Sequence, residues 1–335
     1  MEYRNFFALL GGLALFLYGM HQMSEGLNAA AGEKMKQILE RLTKNRFLGV
    51  GVGAAVTAVI QSSSATTVMV VGFVNSGMMT LRQAVWIIMG ANIGTTITGQ
   101  LIALDAGAVA PLLAFFGVVL ILFAGKDRIR YIGGIVAGLG ILFIGMDMMG
   151  EAMQPLCDSQ VFLRAMTRFE HPVLGILAGA AFTAAIQSSS ASVGILQTLA
   201  QGGAVSFAGA VYVLFGQNIG TCITAVLAAI GTGRNAKRTT IIHLSFNLIG
   251  TVVFTVLCMT TPLVSLVAQL TPGRPAAQIA NMHTIFNIGT TLLLLPAGNL
   301  LAGMAERLLP DKKSESLMVE QRKAACKKVE DVWNS

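Results

Sequence analysis

The sequence predicts an all-α polytopic membrane protein, built as an inverted-topology repeat with two re-entrant helical hairpins and broken transmembrane helices. Three observations carry that prediction. Hydrophobic residues make up 54% of the 335-residue chain and charged residues 12%, and the mean hydropathy is +0.69. Seven apolar runs, near 5–23, 81–104, 107–124, 131–150, 206–231, 239–262 and 277–303, approach the roughly 20 helical residues needed to cross a hydrocarbon core of about 30 Å. A polar motif set among apolar residues, Gln61-Ser62-Ser63-Ser64-Ala65, returns as Gln187-Ser188-Ser189-Ser190-Ala191.

The formal net charge of +7 raises the question of a nucleic-acid partner, which the distribution of charge answers. If the N-terminus is outside, the segments 47–75 and 173–203 enter and leave on one side, and each run crosses once, every loop acquires a side. Nineteen basic residues then lie inside, among them Lys34, Lys36, Arg46, Arg82, Lys126, Arg130, Arg234 and Arg238, and only Arg4, Arg164, Arg168 and Arg274 lie outside. That bias follows the positive-inside rule. The expected setting is the cell inner (plasma) membrane, with a cytoplasmic C-terminus, the lipid bilayer as partner and no nucleic acid. A homodimer is left open.

A shift of 126 residues aligns far more than the serine motif. Gly12, Gly19 and Met23 recur as Gly138, Gly145 and Met149; Gly49, Gly53, Thr57 and Gln61 as Gly175, Gly179, Thr183 and Gln187; Gly90, Asn92, Gly94, Thr95 and Thr98 as Gly216, Asn218, Gly220, Thr221 and Thr224. A gapless match of this length means two copies of one unit. Three crossings separate equivalent points, so the second copy is upside down. The chain divides into a first repeat, 1–126 with hairpin 47–75, and a second, 127–262 with hairpin 173–203. An additional transmembrane helix within 263–309 and a cytoplasmic tail over 310–335 follow.

The first run, followed by Ala29-Ala30-Ala31, has the look of a signal peptide, but its copy at 131–150 argues for a retained helix. Residues 27–46 set Leu27, Met35, Ile38, Leu39 and Leu42 against a basic face and predict a separate amphipathic helix on the inner surface, with a less basic counterpart at 153–170 outside. In 47–75 and 173–203 each arm is too short to span, so Gln-Ser-Ser-Ser marks the tip of a re-entrant hairpin. Asn92-Ile93-Gly94-Thr95 and Asn218-Ile219-Gly220-Thr221 predict breaks in the helices beside the tips. His243 with Asn247 and His283 with Asn287, each pair one turn apart, read as ties between helices rather than as ligands. Asp105 reads as a solvated loop acid. Cys157, Cys222, Cys258 and Cys326 share no spacing that suggests a disulfide framework or a metal site.

Hydroxyls, an amide and helix N-termini at two facing tips suit a small oxyanion. The spans hold almost no Lys or Arg, and about half a charge per helix terminus does not offset a divalent anion. The deficit points to co-bound cations. Oxygens of Thr57, Thr183, Asn92 and Asn218 form a hard ligand set suited to sodium. Proton coupling is usually marked by buried carboxylates or histidines, and here Asp105, Asp147 and the two histidines all lie outside the duplicated motifs.

The paired Gln-Ser-Ser-Ser, the paired Gly-x-Asn-Ile-Gly-Thr at 90–95 and 216–221, and the His-x-x-Phe-Asn elements at 243–247 and 283–287 resemble the type II sodium/phosphate cotransporters and their bacterial relatives. The resemblance covers about residues 5–303. It implies sodium-driven symport of inorganic phosphate with no further cofactor. Phosphate would lie at Gln61, Ser62, Ser63, Ser64, Gln187, Ser188, Ser189 and Ser190 with Asn92 and Asn218. Sodium would lie at Thr57, Gln61, Thr66, Asn92, Thr95, Thr183, Gln187, Ser192, Asn218 and Thr221. Many bacterial members continue into a cytoplasmic helical domain, where this chain carries a short tail. Two other classes remain as alternatives: a sodium-independent anion channel or phosphate exporter, and an intramembrane serine hydrolase. The hydrolase fits poorly with two equivalent serine triplets and no duplicated histidine.

Overall fold

A computed structural model describes residues 3–41, 45–104, 106–157, 159 and 166–310, and the described elements are α-helices joined by turns and two short 3-10 segments. The first repeat holds α1 (Tyr3–Arg41), the hairpin α2 (Arg46–Ile60) and α3 (Ser63–Asn75), then α4 (Leu81–Gly94), α5 (Thr96–Ile102) and α6 (Ala110–Phe123). The second holds α7 (Asp127–Cys157), the hairpin α8 (Pro172–Ile186) and α9 (Ser189–Gln201), then α10 (Phe207–Gly220), α11 (Cys222–Ala228) and α12 (Arg234–Thr260). Helices α13 (Leu263–Leu270), α14 (Pro275–Leu294) and α15 (Gly298–Leu308) complete the described chain. Five helical spans are long and apolar enough to cross a membrane, or six if α14 and α15 count as one bent span. This is a multi-pass membrane protein.

Three expectations need correction. α1 runs without a break to Arg41, where a separate amphipathic helix was expected from residue 27. No Gly-Pro punctuation interrupts Leu27–Arg41 except Gly32, and Ala, Glu, Lys and Met are good helix formers. The run at 107–124 forms only a 14-residue helix, α6, about 21 Å long and short of the hydrocarbon thickness. The run at 277–303 is not one straight helix, since α14 and α15 meet at 81°. Pro296 lies in the connection, where its missing N–H cannot continue the helix. The expected breaks at Asn-Ile-Gly-Thr do separate α4 from α5 and α10 from α11, with Thr95 and Thr221 keeping right-handed helical angles and their N–H groups donating to Ala91 O and Gln217 O at 3.1 Å. Asp105, the tail from 311, and much of 153–170 lie outside the described residues.

Glycine explains how the two copies join. α1 and α7 pack in opposite directions, with Gly12 against Gly145 and Gly19 against Gly138. A Cβ on Gly12 would stand 2.8 Å from Gly145 O, and one on Gly145 would stand 2.6 Å from Gly12 O. Each of these contacts is the copy of the other, since Gly138 is the equivalent of Gly12 and Gly145 of Gly19, as a twofold axis across the chain direction requires, and the second repeat is inverted relative to the first. Within each hairpin unit, glycines again set the approach: a Cβ on Gly94 would lie 2.8 Å from Thr57 Cβ, and one on Gly220 equally 2.8 Å from Thr183 Cβ. Gly94 and Gly220, the last residues of α4 and α10, therefore also admit the hairpin at close approach.

The same axis governs helices that the 126-residue shift does not relate. α12 packs on α3, α4, α10 and α11, whereas α14 packs on α9, α10, α4 and α5. Exchange of the two repeats turns one set into the other. His243, Phe246 and Asn247 on α12 thus correspond to His283, Phe286 and Asn287 on α14. Phe215 stacks on Phe286 with centroids 4.9 Å apart and meets Phe254 edge-on at 6.1 Å, anchoring both helices to α10. Large apolar side chains such as Phe115, Phe116, Leu122 and Phe123 of α6 face outward, as a helix bordered by lipid permits.

Candidate ion site at the paired hairpin tips

Each hairpin turns by the same device. α2 ends after Ile60, and Gln61 adopts a left-handed conformation (φ 58°, ψ 24°) with its N–H donating to Thr57 O at 2.7 Å. Ser62 is extended and caps α3, its Oγ accepting from Ala65 N at 3.1 Å. In the second repeat Gln187 (φ 59°, ψ 22°) donates to Thr183 O at 2.7 Å, and Ser188 Oγ accepts from Ala191 N at 3.3 Å. Among the described residues these two glutamines are the only non-glycine residues with positive φ. Such a conformation costs a non-glycine residue about 1–2 kcal/mol, and it persists where the side chain is needed.

The turn aims the N-termini of α3 and α9 at one another, and Ser63 Oγ stands 3.4 Å from Ser189 Oγ. The first N–H groups of each helix have no partner within the helix, so two sets of donors and two positive helix ends converge here. Among the described residues Arg238 is the only buried charged side chain, and its guanidinium is engaged by Leu309 O and Asn235 Oδ1. No fixed cation of the buried core is aimed at the tips. The site is neutral, rich in oxygen, and positive only through backbone dipoles.

The two copies are not in the same state. Gln61 is buried, its amide donates to Ala58 O, and Thr98 Oγ1 donates to its Oε1 at 2.7 Å. Ser190 Oγ reaches Thr98 Oγ1 at 3.5 Å, so Gln61, Thr98 and Ser190 link the two hairpins. The equivalent trio is Gln187, Thr224 and Ser64. There Gln187 is exposed, and Thr224 Oγ1 turns back to Thr221 O at 3.0 Å. Thr57 Oγ1 donates to Thr66 Oγ1 at 2.9 Å and Thr66 Oγ1 to Ser62 O at 3.1 Å, whereas their counterparts Thr183 and Ser192 are fully buried with hydroxyls that have no protein partner. α1 rests on the first arm α2, while α7 rests on the second arm α9.

The remaining residues singled out from the sequence form the walls. Asn92 Nδ2 donates to Ile88 O and Asn218 Nδ2 to Leu214 O, each at 2.8 Å. Asn218 Oδ1 then accepts from His283 Nε2 at 3.3 Å and from Asn287 Nδ2 at 3.5 Å. The reading of His283 and Asn287 as a helix tie is met by this contact, but what they tie is a candidate site residue. Thr221 Oγ1 donates to Gln217 O at 2.9 Å, and Thr95 Oγ1 is buried without a protein partner. Thr98 was not singled out as a site residue, although its recurrence as Thr224 was a usable signal. Gln197, buried beside the site, carries no repeat signal because its counterpart is Val71.

Inverted copies, helix tips meeting in the core and a buried polar site at their junction define a membrane transporter. The chain belongs to the Na+/Pi-cotransporter family, whose model matches residues 15–151 and again 147–286, one match for each copy. It is 34% identical over 301 residues to the uncharacterized protein YqeW of Bacillus subtilis, covering 90% of this chain and 97% of that one. It is 29% identical over 311 residues to the putative inorganic phosphate export protein YjbB of Escherichia coli, covering 91% of this chain but only 56% of that one. A 98-residue stretch, 29% of this chain and 14% of the other, is 40% identical to human sodium-dependent phosphate transport protein 2B. No solved structure matches.

Proposed function

We propose that this protein is a sodium-coupled symporter of inorganic phosphate that works by alternating access. The observation that carries the reading is the meeting of Ser63 and Ser189 at 3.4 Å, which turns two Gln-Ser-Ser-Ser tips into one site. Phosphate is held by Gln61, Ser62, Ser63 and Ser64 from one side and by Gln187, Ser188, Ser189 and Ser190 from the other, with the Asn92 and Asn218 carboxamides beside them. Backbone N–H groups and serine hydroxyls donate to its oxygens. Because no buried Lys or Arg neutralises the anion, sodium ions complete the charge balance. Their oxygen ligands come from Thr57, Thr66, Thr95, Thr183, Ser192 and Thr221 together with the Gln and Asn carbonyls. The buried, unpartnered hydroxyls of Thr183 and Ser192 support that assignment, since such groups are costly without a ligand.

The unlike states of the two copies support alternating access. One tip is closed by Gln61, Thr98 and Ser190; the other leaves Gln187 open. Exchange of the two arrangements would open the opposite side. The excess of basic residues in one set of loops supports a reading with the N-terminus outside and the C-terminus in the cytoplasm, across the cell inner membrane.

A second reading is phosphate export, favoured by the name of the Escherichia coli relative, whose similarity covers far more of this chain than that of the sodium-dependent one. Purified protein in proteoliposomes separates these readings. Symport predicts radiolabelled phosphate accumulation above its equilibrium level when sodium is imposed outside, and none when potassium replaces it. Flux that only runs down the phosphate gradient and ignores sodium would overturn the coupling and leave a channel or an uncoupled exporter.

A further inference from the structure

Beside Gly99 the symmetry of the repeat is broken by chemistry. Gln197 of α9 is fully buried, and its Nε2 donates to Gly99 O and to Ala276 O, each at 2.9 Å. The amide is therefore oriented, and its Oε1, also buried, is an acceptor without a protein donor. The His283 ring is oriented in the same way. Asn218 must turn Nδ2 to Leu214 O, and Asn287 turns Nδ2 to His283 O at 2.9 Å, so Asn218 Oδ1 is an acceptor and His283 Nε2 is the donor to it. In the neutral ring the other nitrogen, Nδ1, is then a lone pair. It too is buried and unpartnered.

Both acceptors border one place, the Cβ position of Gly99. A Cβ built on Gly99 would stand 3.9 Å from Gln197 Oε1, 3.9 Å from His283 Nδ1 and 3.6 Å from Val193 Cγ1. Two acceptors cannot satisfy each other, and a buried acceptor left alone costs about 1–3 kcal/mol. In the first repeat the residues equivalent to Gln197 and Gly99 are Val71 and Ala225, so the counterpart His243, whose two ring nitrogens are both buried without a protein partner, has no second side-chain acceptor at that position. Ala225 carries a methyl group in one half where Gly99 carries none in the other.

We infer that the space beside Gly99 binds one small neutral hydrogen-bond donor, a water molecule, which bridges Gln197 Oε1 and His283 Nδ1. Gln197 and His283 are then positioning residues that hold the Asn218 carboxamide, and only the second half of the site has this support. Buried waters characteristically occupy such places, bonded to otherwise unsatisfied polar groups. A sodium ion fits less well, since imidazole nitrogen is a poor ligand for a hard cation. The consequence for transport rests on the reading of Asn218 as an ion ligand, whereas the water site does not.

Nitrogen NMR of the purified protein with labelled histidine tests the site without any transport assay. The chain has four histidines. One of them should be the Nε2–H tautomer with Nδ1 at the shift of a hydrogen-bonded acceptor, in sodium-free buffer. In Gly99→Ala, whose Cβ meets its neighbours at ordinary contact distance, that Nδ1 signal should move to the shift of a bare lone pair. Gln197→Val should do the same. Gly99 O keeps its helical donor, Ala103 N at 3.0 Å, so this variant orphans no backbone group there. An Nδ1–H tautomer, a shift indifferent to Gly99→Ala, or a bonded signal that appears only on adding sodium would each overturn the water site. In proteoliposomes both variants should raise half-saturating sodium about tenfold, as loss of support behind a ligand does, with maximal rate near that of the parent. Unchanged sodium affinity with a shifted Nδ1 signal would keep the water and remove its role in holding Asn218.

Discussion

Ser63 and Ser189 are 126 residues apart in the chain and 3.4 Å apart at their hydroxyls. Each is the first residue of a helix, each follows a serine cap, and each is the other's equivalent under the repeat. The contact therefore lies on the axis that relates the two halves.

Side chains this close are within reach of a disulfide, which needs Cα atoms about 4.4–6.8 Å apart. In a background without the native cysteines, Ser63→Cys with Ser189→Cys should crosslink under mild oxidation and link fragments cut between the repeats on a gel. Transport should fall to background and return with reductant. Failure to crosslink would separate the tips.

Thr98 holds the closed tip by two hydroxyl contacts, to Gln61 and to Ser190. Thr98→Val should slow initial phosphate uptake about fivefold or more, the equivalent of one or two neutral hydrogen bonds at about 1 kcal/mol each. Thr98→Ser should recover most of it. If Thr98→Val transports at the parent rate, the closed network has no part in the cycle.

The left-handed glutamines cost stability. Gln187→Gly should raise the thermal unfolding midpoint in detergent, corresponding to about 1 kcal/mol of relieved strain. The same change should reduce phosphate uptake severely. A variant that is both more stable and fully active would show that the Gln187 side chain has no function at the tip.

Glycines at the helix contacts separate into two kinds. Gly90→Ala drives a Cβ into Val50 O and to within 2.8 Å of Ala54 N, and should cost about 2 kcal/mol or more through overpacking. Gly72→Ala meets nothing within 4 Å and should stabilise by about 0.5–1 kcal/mol through helix propensity. Unfolding midpoints of the two variants give the comparison directly.

Much of this arrangement is legible in the chain. A period of 126 residues marks the duplicated unit, and three crossings counted from the apolar runs predict its inversion, although the third of them, α6, is a helix of only 14 residues. The packing of Gly12 on Gly145 and Gly19 on Gly138 agrees with that inversion. Gln-Ser-Ser-Ser reads as a tip because two apolar arms too short to span must turn where the polarity rises. The role of Gly94 and Gly220 was not legible, since a glycine that admits a neighbouring helix and one that breaks its own helix look alike in sequence. The tie between His283 and Asn218 was hidden for a different reason: the His-x-x-Phe-Asn elements are related by a shift of 40 residues, not 126.

The sequence by itself determined the architecture, because hydrophobic length, small-residue spacing and the repeat are local properties that every copy of the chain carries. It also determined which residues stand at the tips. Only the tertiary structure decided how unequal the two copies are. Identical Gln-Ser-Ser-Ser letters give a buried Gln61 bonded to Thr98 and an exposed Gln187. That difference accompanies which arm of each hairpin rests on α1 or α7. Packing between distant segments sets it, and a repeat read along the chain shows the segments as equals.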